Sequence, residues 1–417
     1  MRSNSIFATI KHQPGAVWAV GFAAVVSFMG IGLVDPILPS IADKLHATQT
    51  QSELLFTTYL AMTGAAMFFT SWVSSRIGTK RTLIIGLSVV VLFSIGCAFS
   101  PSVWTVIGFR AGWGVGNALF ISTALAAMVS AAVGGSASAI ILYEAALGIG
   151  MAIGPLVGGT LGTISWRVPF SGTAVLMAVG VLGIAVMLRH GHSPHPAPVR
   201  LSAPFKALTD RGMGTISVAA FFYNMAFFTT LAFPPFALDR LGVNDPIEIG
   251  LVFFGWGGML AISAVTIAPR LTQVLRRTTV VMSAEVMLAL FLVGCALLSS
   301  SAAGLIVCVI LAGLPLGLLN TVLTECSMEA STLPRPVASS TYSGCRFLGG
   351  AVAPPFCTFL AHATTVWAPF LYGALMILIS AGIIAARRGA LARADGDDTV
   401  DAPQVCAGTG LPAAALA

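Results

Sequence analysis

Two arginines and four carboxylic acids interrupt long apolar stretches of this sequence. The arginines are Arg110 and Arg346, and the acids are Asp35, Glu144, Glu285 and Glu325. A charge at the centre of a lipid bilayer costs about 2.5–3.5 kcal/mol on insertion scales, so such residues are candidates for function by default. A carboxyl group buried beside a guanidinium suits proton binding and release, because burial and the cation act on its protonation in opposite directions. Proton transfer is therefore the first chemistry to consider.

The composition indicates that lipid surrounds most of the chain. Of 417 residues, 57% are hydrophobic and only 9% are charged, with a mean hydropathy of +0.92. A soluble domain carries about 25% charged residues, and a disordered chain is poor in apolar residues, so both classes are excluded. The net charge of +6 does not indicate a nucleic-acid partner, because no basic stretch is interleaved with aromatic residues. The seven cysteines include no CxxC pair, which argues against a metal site or a disulfide framework.

Twelve apolar runs are long enough to cross about 30 Å of hydrocarbon as helices. Since twelve is even, both termini lie on one side of the membrane. We number the runs as spans one to twelve, at residues 15–41, 52–74, 81–99, 103–130, 137–162, 168–188, 214–237, 247–268, 279–299, 303–326, 337–361 and 366–386.

Basic residues are distributed unequally between alternate loops. If the termini face the cytoplasm, 16 of the 21 lysines and arginines lie in inner segments, and only Lys44, Arg167 and Arg240 lie in outer loops. The positive-inside rule therefore predicts a multi-pass protein of the inner (cytoplasmic) membrane with both termini in the cytoplasm.

A proline-rich polar segment, 189–213, separates the first six spans (15–188) from the last six (214–386). His190, His192 and His195 in this linker are not expected to bind metal, because their spacing suits no helix face and no acid or cysteine accompanies them. We predict that residues 1–14 form a cytoplasmic N-terminus. Residues 387–417 turn polar and acidic and are predicted to be a disordered cytoplasmic tail.

The two halves carry related sequence. The segment Gly150–Pro155 in span five lines up with Gly350–Pro355 in span eleven at an offset of 200 residues, and Asn117 in span four matches Asn320 in span ten at an offset of 203. Two parallel repeats with a site between them are typical of secondary transporters. The predicted fold class is an all-α polytopic membrane protein with 12 transmembrane helices in two pseudo-symmetric six-helix bundles.

Asp35 and Arg110 are predicted to lie at the same depth. Span one runs outward and ends near residue 41, so Asp35 lies about 9 Å below its outer end at 1.5 Å per residue. Span four begins near residue 103, so Arg110 lies about 10 Å deep. We interpret the two residues as a proton-coupling pair; the alternative is a static ion pair that ties spans one and four together.

Several segments resemble the major facilitator superfamily and, within it, the twelve-helix drug:proton antiporter branch. Gly150-x-x-x-Gly154-Pro155-x-x-Gly158-Gly159 in span five resembles the antiporter motif of that branch. Glycines four residues apart let two helices approach closely.

Three further segments carry the same resemblance. Asp35-x-x-x-Pro39 and the segment that begins at Arg110 resemble motifs of the first and fourth helices of drug exporters. The loop between spans two and three resembles the signature cytoplasmic loop of the superfamily, and its matching residues are Arg76, Gly78, Lys80 and Arg81. Ser75 stands where the family has an aspartate that helps to latch the two halves. We expect its hydroxyl to take that place weakly at a neighbouring helix terminus.

The resemblance implies a secondary active transporter, not an enzyme, that exports small hydrophobic or amphipathic compounds in exchange for protons by alternating access. The corresponding expectations are multidrug efflux, antibiotic resistance, protons as the coupling ion, no other cofactor and a monomer in the bilayer. An inward-moving proton would neutralise Asp35, weaken its hold on Arg110 and favour the inward-facing state. Alternatives are export of an endogenous metabolite or siderophore, proton-coupled uptake, and a non-transporting membrane sensor.

Polar and aromatic residues within the spans are the candidate substrate contacts. Asparagines could bind a ligand or hold helices together, carboxylates could bind a cationic substrate or serve a structural role, and aromatic side chains could form an apolar wall. The candidates are Asn117, Glu144, Tyr223, Asn224, Phe227, Asn320, Glu325 and Arg346. Glu285 is the weakest of the acids, because the resemblance puts span nine at the periphery of the fold.

Overall fold

The computed structural model describes residues 13–34, 37–133, 135–188 and 198–395, and every regular element within these ranges is a helix. Twelve long helices correspond to the twelve predicted spans, and we give them the same numbers. They are α1 (Gly15–Gly32), α2 (Gln49–Ile77), α3 (Thr79–Ala98), α4 (Val103–Ala131), α5 (Gly135–Gly162), α6 (Val168–Met187), α7 (Arg211–Ala232), α8 (Pro246–Ile262), α9 (Arg277–Leu297), α10 (Ala302–Glu329), α11 (Arg335–Ala363) and α12 (Ala368–Ala386).

Eleven helices in the described part of the chain are long and apolar enough to cross a membrane. The remaining long helix is α11, which has 29 residues. Its first half carries the polar run 339–343 and Arg346, and all of these residues are buried. α11 therefore directs its polar side chains at other helices, and the all-α membrane fold predicted from the sequence is confirmed.

Side chains that cap helix ends set where several helices begin. Thr48 accepts a hydrogen bond from the backbone N–H of Gln51 at the start of α2, and Ser102 accepts one from Thr105 at the start of α4. Each side chain supplies an acceptor for a backbone N–H of the first turn, which has no hydrogen-bond partner within the helix. Between α2 and α3, Gly78 has a φ of +87°. This conformation favours glycine and lets α3 start directly after α2 ends.

Two predicted spans are interrupted near the end that the positive-inside rule places outside. α1 ends at Gly32 and a short helix, Leu38–Leu45, follows, so the prediction of one helix over 15–41 is wrong. α7 ends at Ala232, and the short helix Pro234–Asp239 follows. A proline occupies the first or second position of both short helices. Proline cannot continue a preceding helix because it lacks the amide hydrogen and its ring clashes with the turn before it.

The helices pack as two bundles with the same internal arrangement. In the first, α1 packs on α5 and α6, while α4 packs on α2 and α3. In the second, α7 packs on α11 and α12, and α10 packs on α8 and α9. Each of these contacts in the first bundle has a counterpart in the second, between helices whose numbers are higher by six. The two main contacts between the bundles are α2 with α11 and α5 with α8. They are equivalent, because α8 is the counterpart of α2 and α11 is the counterpart of α5.

The bundles touch near both ends of the molecule. At the end that the positive-inside rule places inside, Ser339 of α11 donates a hydrogen bond of 3.0 Å to the carbonyl oxygen of Ser122 in α4. Near the outer end, the rings of Phe56 in α2 and Phe228 in α7 meet edge to face with centroids 5.8 Å apart. The described residues of the two bundles therefore meet near both ends of the molecule.

The first residues after α12 cover the inner end of the second bundle. Residues 388–391 form a 3₁₀ turn in which Leu391 is buried. The Asp395 carboxylate accepts hydrogen bonds from the backbone N–H and the hydroxyl of Thr278, at 3.0 and 2.6 Å, and so caps the start of α9. The prediction of disorder from residue 387 onwards is therefore wrong for 387–395. Residues 396–417 and the three linker histidines lie outside the described residues.

Candidate functional site

Arg110 lies fully buried among three helices of the first bundle. Its Nε donates to the carbonyl oxygen of Leu55 at 3.2 Å and its Nη1 to that of Gly30 at 3.3 Å. The guanidinium carbon lies 4.2 Å from the centre of the Tyr59 ring and 4.9 Å from that of Trp113. Such cation–π contacts are worth about 2 kcal/mol when desolvated. A permanent cation thus joins α1, α2 and α4.

Asn117 lies two turns further along α4 and continues this polar region. Its side-chain oxygen accepts a hydrogen bond from Ser27 of α1, and its amide nitrogen contacts the Tyr59 hydroxyl of α2. Asn117 therefore connects the same three helices as Arg110. This contact agrees with the alternative that the asparagine holds helices together. Asp35, the predicted partner of Arg110, lies outside the described residues, so their pairing remains a prediction.

The second polar region crosses the boundary between the bundles. Glu144 of α5 is fully buried and lies 3.8 Å from Arg346 of α11, measured from Oε1 to Nη1. The same Glu144 oxygen accepts a hydrogen bond of 2.8 Å from Thr324 of α10. A carboxylate of the first bundle is thus held by a cation and a hydroxyl of the second.

Arg346 also binds two of the candidate asparagines. Its Nη2 donates to the side-chain oxygen of Asn320 in α10, and its Nε lies 3.4 Å from that of Asn224 in α7. The Tyr223 hydroxyl donates to the same Asn320 oxygen at 2.6 Å. We term Glu144, Tyr223, Asn224, Asn320, Thr324 and Arg346 the inter-half cluster. Five of these six residues were predicted as substrate-cavity candidates from the sequence, and the structure brings them together.

Several buried polar atoms in and beside this cluster have no hydrogen-bond partner within the described ranges. They are Oε2 of Glu144, Nδ2 of Asn320 and the hydroxyl of Tyr342. Leaving a buried polar atom unpaired costs about 1–3 kcal/mol, so each can gain from a ligand or a water molecule. The cluster offers an acceptor, an amide donor and a hydroxyl at one place between the bundles.

An aromatic wall stands next to the cluster on α7. The Phe227 ring meets Trp256 of α8 at 5.5 Å, Tyr223 at 6.1 Å and Phe228 at 5.2 Å between centroids. These rings are buried and place an apolar surface beside the polar cluster. Small-molecule sites commonly combine an apolar wall with a few polar groups in this way.

Glu325 does not join the cluster. Its carboxylate lies 3.3 Å from Arg277 at the start of α9, and the same arginine lies 2.6 Å from Glu329. These contacts stay within the inner end of the second bundle. The structure thus gives Glu325 a partner other than Arg346, although it is the neighbour of Thr324 in the chain.

Comparison with known proteins assigns this arrangement to a family. A family model described as "Major Facilitator Superfamily" matches residues 20–354. The chain belongs to the major facilitator superfamily. It is similar to the multidrug efflux protein YfmO of Bacillus subtilis (strain 168), with 47% identity over 371 residues that cover 89% of this chain and 92% of that protein.

Shorter matches link this superfamily member to two resistance proteins. The class C tetracycline resistance protein of Escherichia coli is 28% identical over 180 residues, which cover 42% of this chain and 45% of that protein. The tetracenomycin C resistance and export protein of Streptomyces glaucescens is 26% identical over 190 residues, 43% of this chain and 35% of that protein. The chain is therefore a multi-pass membrane transporter.

In this superfamily member, the glycines of the α5 motif face α1. A Cβ atom added at Gly150, Gly154 or Gly158 would lie within 3 Å of a backbone oxygen of α1 or of the residue that follows it. Pro155 of the same motif packs against Gly32, and Gly159 is buried. The spacing therefore sets a close contact between two helices of one bundle, which is the packing that the sequence predicts.

The signature loop contacts the linker. Ser75 donates to the carbonyl oxygen of Trp72 at 2.8 Å and accepts a hydrogen bond of 3.2 Å from the backbone N–H of Val199. These contacts are with a carbonyl group of α2 and with the linker, so binding of Ser75 at a neighbouring helix terminus stays a prediction. Lys80 donates to the carbonyl oxygen of Ala185 at 2.8 Å, which ties α3 to α6. The other basic residues of the loop, Arg76 and Arg81, are exposed.

Sequence reasoning missed two polar residues. Thr324 completes the hold on Glu144, and its signal was the spacing of four residues from Asn320, which puts both on one face of α10. Ser380 of α12 hydrogen-bonds Glu285, and this pair is fully buried. No sequence pattern pointed to Ser380, because a single serine in an apolar helix is common.

Proposed function

We propose that this protein is a drug efflux transporter that exchanges protons for small hydrophobic or amphipathic compounds by alternating access. It works as a monomer in the cytoplasmic membrane with both termini inside. The observation that carries the proposal is the ion pair between Glu144 of the first bundle and Arg346 of the second. Its relatives include a multidrug efflux protein and two resistance proteins, and this supports export of drug-like compounds.

The inter-half cluster is built to change when the bundles move. Since Glu144 lies on α5 and its partners lie on α10 and α11, rocking one bundle against the other separates the pair. The contact between the bundles then opens at one end while the contact at the other end holds. A substrate that takes over the partners of Glu144 offsets the cost of separation, which is how a ligand shifts such an equilibrium.

Proton coupling is assigned to Asp35 and Arg110. A proton that enters from outside neutralises Asp35 and weakens its attraction to Arg110, which favours the inward-facing state. Substrate that binds from the cytoplasm or the inner leaflet then favours release of the proton. Arg110 suits this role because it is a buried permanent cation whose described contacts reach α1 and α2.

The test is efflux of a lipophilic cationic dye such as ethidium from proteoliposomes with an imposed pH gradient. For one-to-one electroneutral exchange, each pH unit of outside acidity supplies about 1.36 kcal/mol, a tenfold concentration ratio. We expect export that grows as the outside pH falls and vanishes with a protonophore. Asp35→Asn should abolish the proton-linked part while insertion is retained.

Glu248→Gln is the matched control, because Glu248 is an exposed acid in the first turn of α8. It should transport like the natural protein. Normal proton-linked export by Asp35→Asn would exclude Asp35 as the coupling residue. No dye movement under any gradient, across a panel of lipophilic cations and neutral compounds, would overturn the proposal of efflux.

A further inference from the structure

A hydroxyl-lined cavity of about 340 Å³ lies at the inner end of the molecule. Its walls come from α2 and α4 of the first bundle, from the starts of α3 and α11, and from Val199 of the linker. Ser130 and Arg335 at one end of the lining are exposed, whereas Thr70 and Ser122 at the other end are buried. The cavity therefore leads from the inner surface towards the contact between the bundles, and it is separate from the inter-half cluster.

The lining has the chemistry of an anion site. Arg335 is the one charged residue among the described residues that line it, and no carboxylate lies among them. Hydroxyls donate hydrogen bonds, and a guanidinium binds phosphate oxygens in a planar fork. The hydroxyl residues are Thr70, Ser71, Ser74, Ser75, Thr79, Ser122, Thr123 and Ser130.

Two buried hydroxyls at this cavity have unused hydrogen-bonding capacity. Ser71 is 2% exposed and Thr123 is 4% exposed, and neither Oγ of Ser71 nor Oγ1 of Thr123 has a partner in the described part of the chain. Other hydroxyls of the lining already bind protein groups, such as Thr70 with Ser122 at 2.8 Å. The floor of the cavity thus presents donors that a ligand with several acceptor oxygens would satisfy.

Helix ends reinforce the positive potential. α3 starts at Thr79 and α11 starts at Arg335, and both of these residues line the cavity. The N-terminus of a helix carries a partial positive charge, which favours an anion nearby. With 20 and 29 residues, the two helices are long enough for this effect.

We propose that this cavity binds a phosphate group, from soluble phosphate or phosphate esters or from the headgroup of an anionic lipid. A ligand there touches both bundles and the linker at once. It therefore stabilises the arrangement in which Ser339 meets Ser122 and opposes opening towards the cytoplasm, because it binds that arrangement better. A cationic substrate is disfavoured as the occupant, since the lining offers it no carboxylate.

The experiment measures binding to the purified full-length protein in detergent and needs no transport. Sodium phosphate is titrated against sodium chloride at constant ionic strength, with the midpoint of thermal unfolding as the readout, and a second titration uses dioctanoyl phosphatidylglycerol. A ligand that binds only the folded state raises this midpoint in a saturable manner. The probe that saturates at the lower concentration identifies the source of the phosphate group.

Arg335→Gln should weaken the apparent affinity by about tenfold or more, because it removes a charged hydrogen-bond donor. Arg335→Lys should retain more of the affinity, and Thr123→Val should weaken binding with little change in shape. Arg211→Gln is the matched control, since Arg211 is an exposed arginine at the start of α7 and is not in the lining. A midpoint that moves equally with chloride, or equal saturation in Arg335→Gln and the natural protein, would overturn the proposal.

Discussion

Removing the charge of Glu144 is the most direct perturbation of the inter-half cluster. Glu144→Gln keeps the shape of the side chain and an oxygen for Thr324, but it leaves Arg346 without the carboxylate that lies 3.8 Å away. Two unit charges at that distance attract by about 4 kcal/mol at an effective dielectric constant near 20. Breaking a buried pair by removing one partner costs about 3–5 kcal/mol, so the two estimates agree.

That free energy corresponds to a large loss of transport. Each 1.36 kcal/mol lost from transition-state stabilisation lowers the rate tenfold. A loss of about 4 kcal/mol would therefore lower the transport rate by at most about 1,000-fold. The hydrogen bond from Thr324 survives the substitution, and we therefore expect kcat/KM for dye efflux to fall by roughly 100-fold. Arg346→Gln should cause a loss of similar size, because it leaves a buried carboxylate without its cation.

A double-mutant cycle tests whether the pair acts as a unit. Initial efflux rates are measured for the natural protein, Glu144→Gln, Arg346→Gln and the double variant, after normalisation to inserted protein. If the two residues are coupled, the double variant should have an efflux rate no lower than that of either single variant. The interaction energy should then exceed about 1 kcal/mol. If the losses simply multiply, to within about 0.5 kcal/mol, the pair does not carry the movement of the two bundles.

Three further changes test the contacts around the site. Gly154→Ala places a Cβ atom 2.7 Å from a backbone oxygen of α1 and should lower both the thermal unfolding midpoint and efflux, whereas Gly108→Ala, with nothing within 4 Å, should change neither. Thr324→Val removes one hydrogen bond to Glu144 and should reduce kcat/KM for efflux by about fivefold to tenfold; an unchanged rate would show that the hydroxyl is dispensable. Asp395→Ala removes the cap of α9 and should destabilise the protein by about 1 kcal/mol, read as a lower unfolding midpoint, with dye affinity unaffected.

Apolar run length and charge asymmetry were sufficient to place twelve helices, because a helix in lipid must be long and apolar along its whole course. They were insufficient to place the ends of α1 and α7. Only the apolar Phe233 lies between α7 and its short helix, so composition gives no sign of that break. Asp35 and Pro36 lie between α1 and its short helix, and a proline stands at the start of both short helices. The polar first half of α11 shows the opposite case, in which buried polar residues make a span less apolar than its neighbours.

The sequence identified most members of the inter-half cluster and could not identify their partners. Arg346 and Asn320 stood out as polar residues in apolar runs, but the contact of Arg346 with Glu144 joins residues about two hundred positions apart. That contact depends on how one bundle faces the other, which no local pattern encodes. Glu325 shows the limit most clearly. It adjoins Thr324, yet it points to Arg277, because consecutive residues of a helix diverge by about 100°.

The interruptions of α1 and α7 have a mechanical consequence. Their last residues, Gly32 and Ala232, lie 200 positions apart, the same offset that relates the glycine–proline segments of α5 and α11. Each bundle thus carries a short helix after its first long helix, at the end that the positive-inside rule places outside. A hinge needs only a few residues that absorb a change of backbone angles. We expect Phe233, which lies between α7 and its short helix, to absorb such a change, so that this short helix can move while the glycine contact between α5 and α1 is kept.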